Sequence, residues 1–209
     1  MTQTLDTLVI GFDRALKTLT GGVRAARESP AEPLVDLELD EAERRHAAGL
    51  MRVNHTGEIC AQALYEGQAL VARQTLARQT LLDAAAEERD HLGWCRERLT
   101  QLQSQPSVLD PLFYSASFVV GIATGLAGDK VSLGFVEATE DQVVEHLDRH
   151  MDSLPNGDLK SRAIVAQMRE DESRHGEAAL ARGGLPFPAP VKQCMTLVSK
   201  LMTATSYRL

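Results

Sequence analysis

Two five-residue runs decide the fold: Glu87-Glu88-Arg89-Asp90-His91 and Asp171-Glu172-Ser173-Arg174-His175. Each contains a Glu-x-x-His pair, and residues three apart on a helix are neighbours on one face. Each pair also sits inside an apolar stripe of helical period. The first stripe reads Leu81, Ala84, Glu88, His91, Cys95, Leu99, Leu102; the second reads Val165, Met168, Glu172, His175, Ala179. A carboxylate facing a core is very costly unless its charge is compensated. A divalent cation is the compensation that a neighbouring imidazole invites.

Two lone glutamates repeat the pattern. Glu58 lies on the stripe Met51, Asn54, Glu58, Ala61, Tyr65, and Glu140 on Leu133, Val136, Glu140, Val143, Leu147, Met151. Four long helices therefore each turn an acid inward, in the order Glu, Glu-x-x-His, Glu, Glu-x-x-His. The spacing from Glu58 to Glu88 is 30 residues and from Glu140 to Glu172 is 32. The chain reads as two helix pairs, each giving half a site, with the ligand set of carboxylate-bridged di-iron four-helix bundles.

A single Glu-x-x-His is weak, since 16 Glu and 6 His in 209 residues supply about half a pair by chance. A third pair, Glu43–His46, lies 12 to 15 residues before Glu58 on the same helix. At 1.5 Å per residue that is about 18–22 Å away. It belongs to a charged helix start with Glu41, Arg44 and Arg45, outside the site.

The ligand types select the metal. Carboxylates and imidazoles without thiolate suit iron or manganese over structural zinc. Four carboxylates balance two divalent ions. Glu88 and Glu172, from the paired motifs, are expected to bridge, with Glu58 and Glu140 terminal. The imidazoles need partners of their own; Asp90, Asp141, Asp171 and His146 are the candidates.

The rest of the sequence is also helical. Residues 2–27 are amphipathic (Leu5, Leu8, Val9, Phe12, Leu16, Leu19), and Ser29-Pro30-Ala31-Glu32-Pro33 breaks that helix. Asp40 with Glu43 marks the next helix start, expected to run to about 75. Further helices are expected over 76–104, 130–154, 158–183 and 191–206. The uncharged stretch Pro111–Gly128 has eighteen residues, at the short end for a span. It is either a buried crossover between the helix pairs or an apolar helix at a membrane surface. The terminal helix has an apolar side of Val191, Met195, Val198, Leu201 and Met202, flanked by Lys192, Lys200 and Arg208; it packs on the bundle, a second subunit or lipid.

Composition excludes several classes. Hydrophobic residues make up 44% and charged residues 24%, which is ordinary for one globular domain. The net charge of −7 and an aromatic content of 4% argue against nucleic-acid binding, which needs phosphate neutralisation or stacking. Cys60, Cys95 and Cys194 form no CxxC pair, so neither a disulfide scaffold nor a zinc ribbon is expected. No nicotinamide or flavin fingerprint is present, so the reductant is expected from an unidentified electron donor. The amino terminus reads as neither a secretory signal nor a transit peptide.

The runs Asn54-His55-Thr56-Gly57-Glu58-Ile59-Cys60-Ala61, Glu87-Glu88-Arg89-Asp90-His91, Glu137-Ala138-Thr139-Glu140 and Asp171-Glu172-Ser173-Arg174-His175 resemble the demethoxyubiquinone hydroxylase family of ubiquinone biosynthesis. The resemblance spans about residues 40–209. It implies an all-α, ferritin-like four-helix bundle carrying additional amphipathic and apolar helices, with 40–209 as the di-iron domain; nothing is carried onto residues 1–39, which the hydrophobic pattern alone reads as an amphipathic extension. It also implies an oxygen-dependent monooxygenase that hydroxylates the ring of a polyprenylated methoxy-methyl-benzoquinol. The family's ligands map onto Glu58, Glu88, His91, Glu140, Glu172 and His175, with two iron ions per chain. A peripheral position on the cytoplasmic face of the cell membrane is expected, in a homo-oligomer or a ubiquinone-biosynthesis complex. Two alternatives stand: a ferritin-like ferroxidase or iron-storage protein, and a non-catalytic lipid-quinone-binding subunit. Storage would require uptake beyond two ions, and the apolar segment and the proline-rich break before the last helix disfavour it.

Overall fold

A computed structural model describes residues 2–209, with side chains described for 9 and for 11 onward; Leu5 and Leu8 of the first stripe lie outside the described side chains. The described chain is all-α, a ferritin-like bundle with additional helices: α1 (Thr2–Thr20), α2 (Glu41–Val71), α3 (Thr75–Gln101), α4 (Asp110–Leu126), α5 (Asp129–Ser153), α6 (Leu159–Ala181) and α7 (Ala189–Ser206). The pairs α2/α3 and α5/α6 form the four-helix core and meet face to face.

The helix ends follow local chemistry. Asp40 caps α2: its carboxylate accepts from the Glu43 amide at 2.8 Å, and Glu43 returns a carboxylate to the Asp40 amide at 3.0 Å. That reciprocal box satisfies two backbone donors that a helix start would otherwise leave bare. The first helix stops at Thr20 rather than 27, because Gly21 turns the chain with φ +77°. Residues 21–40 then run as an irregular strap. α2 ends at Val71, and the short turn into α3 is held by Asp129, which accepts from the Arg73 and Gln74 amides at 3.0 and 2.8 Å. Asp129 opens α5, so this one carboxylate ties the two helix pairs together. At the other end Arg98, fully buried, donates to Asp158 at 2.7 Å, to Ser161 at 2.9 Å and to Asp36 of the strap at 2.8 Å.

All the inward stripes expected from the sequence are buried, apart from Ala61, Val143 and Met151, which are partly so. Near the α1 side, Ala15, Leu19 and Val23 cover a cluster of Ile59, Ala63, Leu92 and Tyr114.

The segment 111–128 is neither fully buried nor detached. It is a helix, α4, that lies along α2 with Tyr114, Gly121 and Gly125 inward and Leu112, Val119, Val120 and Leu126 exposed. Its backbone approach is very close: a Cβ built on Gly121 would stand 2.3 Å from the Leu64 carbonyl oxygen, and one on Gly67 would stand 2.5 Å from that of Phe118. Backbone cannot yield as a flexible side chain can. Gly121→Ala is therefore expected to cost about 1–3 kcal/mol, the range for overpacking a tight contact, measurable by urea denaturation. Gly57→Ala, where nothing lies within 4 Å of the added carbon, is the control. No helix among the described residues is long and apolar enough to cross a membrane.

Candidate metal centre

The four core helices bring Glu58, Glu88, His91, Glu140, Glu172 and His175 together at mid-height, every one of them buried. Their ligand atoms form two overlapping quartets, each with its atoms within 4.8 Å of one another: Glu58, Glu88, His91, Glu172, and Glu88, Glu140, Glu172, His175. Glu88 and Glu172 belong to both quartets, and Glu58 and Glu140 to one each. The two acids common to both quartets are the two that the paired motifs supply.

Distances define which ring nitrogen faces inward. His91 Nδ1 lies 3.2 Å from Glu88 Oε2, 3.1 Å from Glu172 Oε1 and 3.5 Å from Glu58 Oε2. His175 Nδ1 lies 3.0 Å from Glu172 Oε2 and 3.2 Å from Glu88 Oε1. The Nε2 atoms point outward. That of His91 meets Asp171 Oδ2 at 2.9 Å, and that of His175 lies 3.4 Å from Glu87 Oε2. Each outer acid therefore precedes the glutamate of one motif and faces the histidine of the other; Asp171 is hydrogen-bonded to its ring, whereas His175 Nε2 has no hydrogen-bond partner among the described residues. A hydrogen-bonded partner such as Asp171 fixes the tautomer and aim of a ligating imidazole.

Of the four expected imidazole partners, Asp171 alone touches a ligand histidine. Asp90 instead accepts from the Ala26 amide at 2.6 Å and from Arg27 Nε at 2.8 Å. Asp141 is exposed and pairs with Lys192 at 2.9 Å. His146 packs against His150, ring centroids 3.9 Å apart, further along α5 from Glu140. Glu87 was not anticipated. Its signal was its place directly before Glu88, matching Asp171 before Glu172, and only the antiparallel packing of α3 on α6 turns that repeat into a crossed pairing.

The electrostatics fit a cation. Glu58 Oε2, Glu88 Oε1 and Glu140 Oε1 are buried oxygens that no donor among the described residues satisfies. Burial, reinforced by the neighbouring acids, pushes Glu58 and Glu140 well above the usual carboxylate range. Burial would also raise Glu88, but the His175 and His91 rings hold it below that range. Burial would lower both histidines, yet the carboxylates override it. They hold His91 well above its ordinary value and lift His175 to about 12. Without a metal, protons do the neutralising. Four carboxylates and two imidazoles match two divalent ions in charge and donor type, with no thiolate among them: Cys95 is buried nearby but faces Met168 Sδ at 3.7 Å.

Glu43 and His46 stand apart. Glu43 serves the cap, and His46 joins the carboxy-terminal helix to the bundle through Tyr207 Oη at 2.7 Å and Ser153 Oγ at 2.9 Å.

Comparison with known proteins supplies independent findings. The family described as "Ubiquinone biosynthesis protein COQ7" matches residues 45–206. A protein of Stutzerimonas stutzeri is 57% identical over 205 residues, covering 98% of this chain and 95% of its own. One of Cupriavidus pinatubonensis is 54% identical over 207 residues, covering 98% and 100%. One of Marinomonas sp. is 54% identical over 210 residues, covering 100% of both. All three carry the name 3-demethoxyubiquinol 3-hydroxylase.

Proposed function

The chain belongs to the COQ7 family of ubiquinone biosynthesis proteins, and from that premise we infer that it is a monooxygenase that hydroxylates 3-demethoxyubiquinol. The observation that carries this reading is the pair of overlapping buried quartets, which offer two adjacent metal positions. Two iron ions would be held by these six side chains, with Glu88 and Glu172 common to both positions, Glu58 and His91 completing one, and Glu140 and His175 the other, each imidazole offering its Nδ1. As ferrous ions they would supply the two electrons that dioxygen needs at one place. In the overall reaction one oxygen atom replaces the ring hydrogen and the other leaves as water. Two electrons and two protons come from an external donor.

The protein's own part is orientation and exclusion of water. Asp171 holds the outer nitrogen of His91, and Glu87 stands beside that of His175, so the α3/α6 side is closed with polar and charged groups. The α2/α5 side carries the terminal glutamates and is flanked by α4 and α7. An apolar quinol therefore approaches from that side.

Extraction of quinones from a strain lacking the gene tests the reading. Accumulated demethoxyquinone, cleared by the wild-type chain, supports it; normal ubiquinone content in the deletion strain overturns it.

The same reading puts the protein on the cytoplasmic face of the membrane as a peripheral protein. The support is the apolar exposure on the flanking helices: Leu112, Val119, Val120 and Leu126 on α4, and Val191, Leu197, Val198 and Leu201 on α7. Phe118, on the same helix, packs inward against Tyr114 with ring centroids 6.3 Å apart. Lys192 likewise turns back to Glu137 and Asp141. The lipid-facing probe is thus Leu112, Val119 and Leu126 replaced together by Ser. Each such side chain is worth roughly 1.5–3 kcal/mol when fully buried, so partial insertion of three gives at least about tenfold weaker partition into vesicles. Flotation with zwitterionic liposomes checks this. Salt should matter little for a −7 chain held by apolar contact. Equal flotation of the triple variant and wild type would remove α4 from the contact.

A further inference from the structure

The strap between α1 and α2 reaches the metal centre through one side chain, Arg27. Its Nε donates to Asp90 Oδ2 at 2.8 Å and its Nη2 to Asp171 Oδ2 at 2.9 Å. The same Asp171 oxygen accepts His91 Nε2 at 2.9 Å. The strap backbone is seated on the same ground: Asp90 Oδ1 accepts the Ala26 amide at 2.6 Å, and the Trp94 indole donates to the Arg27 carbonyl at 3.3 Å. The guanidinium also stacks over Trp94, 4.8 Å from the ring centroid. Trp94 in turn lies against the His91 ring, centroids 5.4 Å apart.

The placement is asymmetric. Arg27 is 37% exposed, whereas Asp171 is 2% exposed and His91 is fully buried. The guanidinium therefore forms the wall between the buried ligand and an open cavity of about 360 Å³ lined by Arg24, Arg27, Glu87, Asp90 and Arg174. Asp171 has other partners, Gln167 and Arg174, but both hold Oδ1. The oxygen that faces His91 has Arg27 as its one further partner among the described residues.

We propose that Arg27 is a positioning residue for the metal centre: it fixes the Asp171 oxygen that aims His91 and closes the cavity over that ligand, which gives residues 21–40 a part in holding metal. The inference rests on the two-metal reading above. Arginine suits the task because its planar fork spans two carboxylates at once, which a lysine point charge cannot do.

The test uses the full-length chain loaded with Co²⁺, whose visible spectrum reports ligand geometry. Release to a chelator is followed for wild type, R27M, R27K and R24M. Changing an outer partner of a ligand histidine typically costs 10–100-fold in metal affinity. R27M is expected to lose metal at least about tenfold faster, with an altered cobalt spectrum and unchanged helix content. R24M, which alters the same strap and cavity without touching Asp171, should match wild type. R27K should resemble R27M; it also carries the test should R27M fold poorly. Wild-type release and spectrum in R27K and R27M overturn the inference, as does an equal defect in R24M. A wild-type chain that takes up no metal overturns the two-metal reading itself, and this inference with it.

Discussion

Replacing Glu172 by Ala is expected to abolish hydroxylation and to prevent stable loading of both metals, while leaving the helices folded. Glu172 is shared by the two quartets, with one oxygen 3.1 Å from His91 Nδ1 and the other 3.0 Å from His175 Nδ1. Its removal leaves both positions a ligand short, unlike loss of Glu58 or Glu140, which touches one quartet. The activity loss should exceed the roughly 100-fold upper range seen for changes behind a ligand. Folding should survive because Val165, Met168 and Ala179 still bury the α6 stripe. The metal-free variant is also relieved of one acid among four that crowd each other. Metal content per chain, turnover, and thermal unfolding with and without Fe²⁺ give the answer. Two retained metals with near-normal turnover would move the bridge to another residue.

Metal affinity is expected to climb steeply with pH. In the metal-free chain His91 and His175 are held protonated, and Glu58 and Glu140 are pushed toward the neutral acid. Metal binds the neutral imidazole and the ionised carboxylate, so loading both positions must expel protons from these four groups. The sign follows: lowering pH opposes loading, and raising it favours loading. About four protons shared by two ions correspond to roughly a hundredfold change in affinity per ion for each pH unit around neutrality. Calorimetric titration in buffers of different ionisation enthalpy measures the released protons directly. The stabilisation that metal confers, which grows with ligand concentration over Kd, should rise with pH in step. Proton release near zero would mean that the ligands are already deprotonated before metal arrives.

The sequence carried the ligand cluster because each ligand is a local signal repeated. Glu88–His91 and Glu172–His175 are three apart on helices with clear apolar stripes, and Glu58 and Glu140 precede them by 30 and 32 residues. What it could not carry were contacts set by how helices and strap are packed. Arg27 meets Asp171 across 144 residues from the end of a stretch read as amphipathic helix, where the chain has already left the helix at Thr20. Asp141 and His146 looked as eligible as Asp171 by composition, and differ only in which way α5 turns them. The segment 111–128 was ambiguous for a related reason: an uncharged helix with glycines on one side fits a crossover and a lipid surface equally. The Gly67 and Gly121 approach fixes one face of it on α2, and the other face stays exposed.

The quartets each draw three ligands from one helix pair and a single glutamate from the other, and the outer acids cross in the same sense. The centre is thus built like the interface of a two-subunit assembly that happens to be encoded in one chain. α4 is its tether: gripped along α2, it delivers Asp129 to the α2–α3 turn and sets the effective concentration of the second hairpin at the first. Severing the backbone at residues 127–128 would turn metal binding, independent of dilution in the intact chain, into a bimolecular event that weakens as the fragments are diluted.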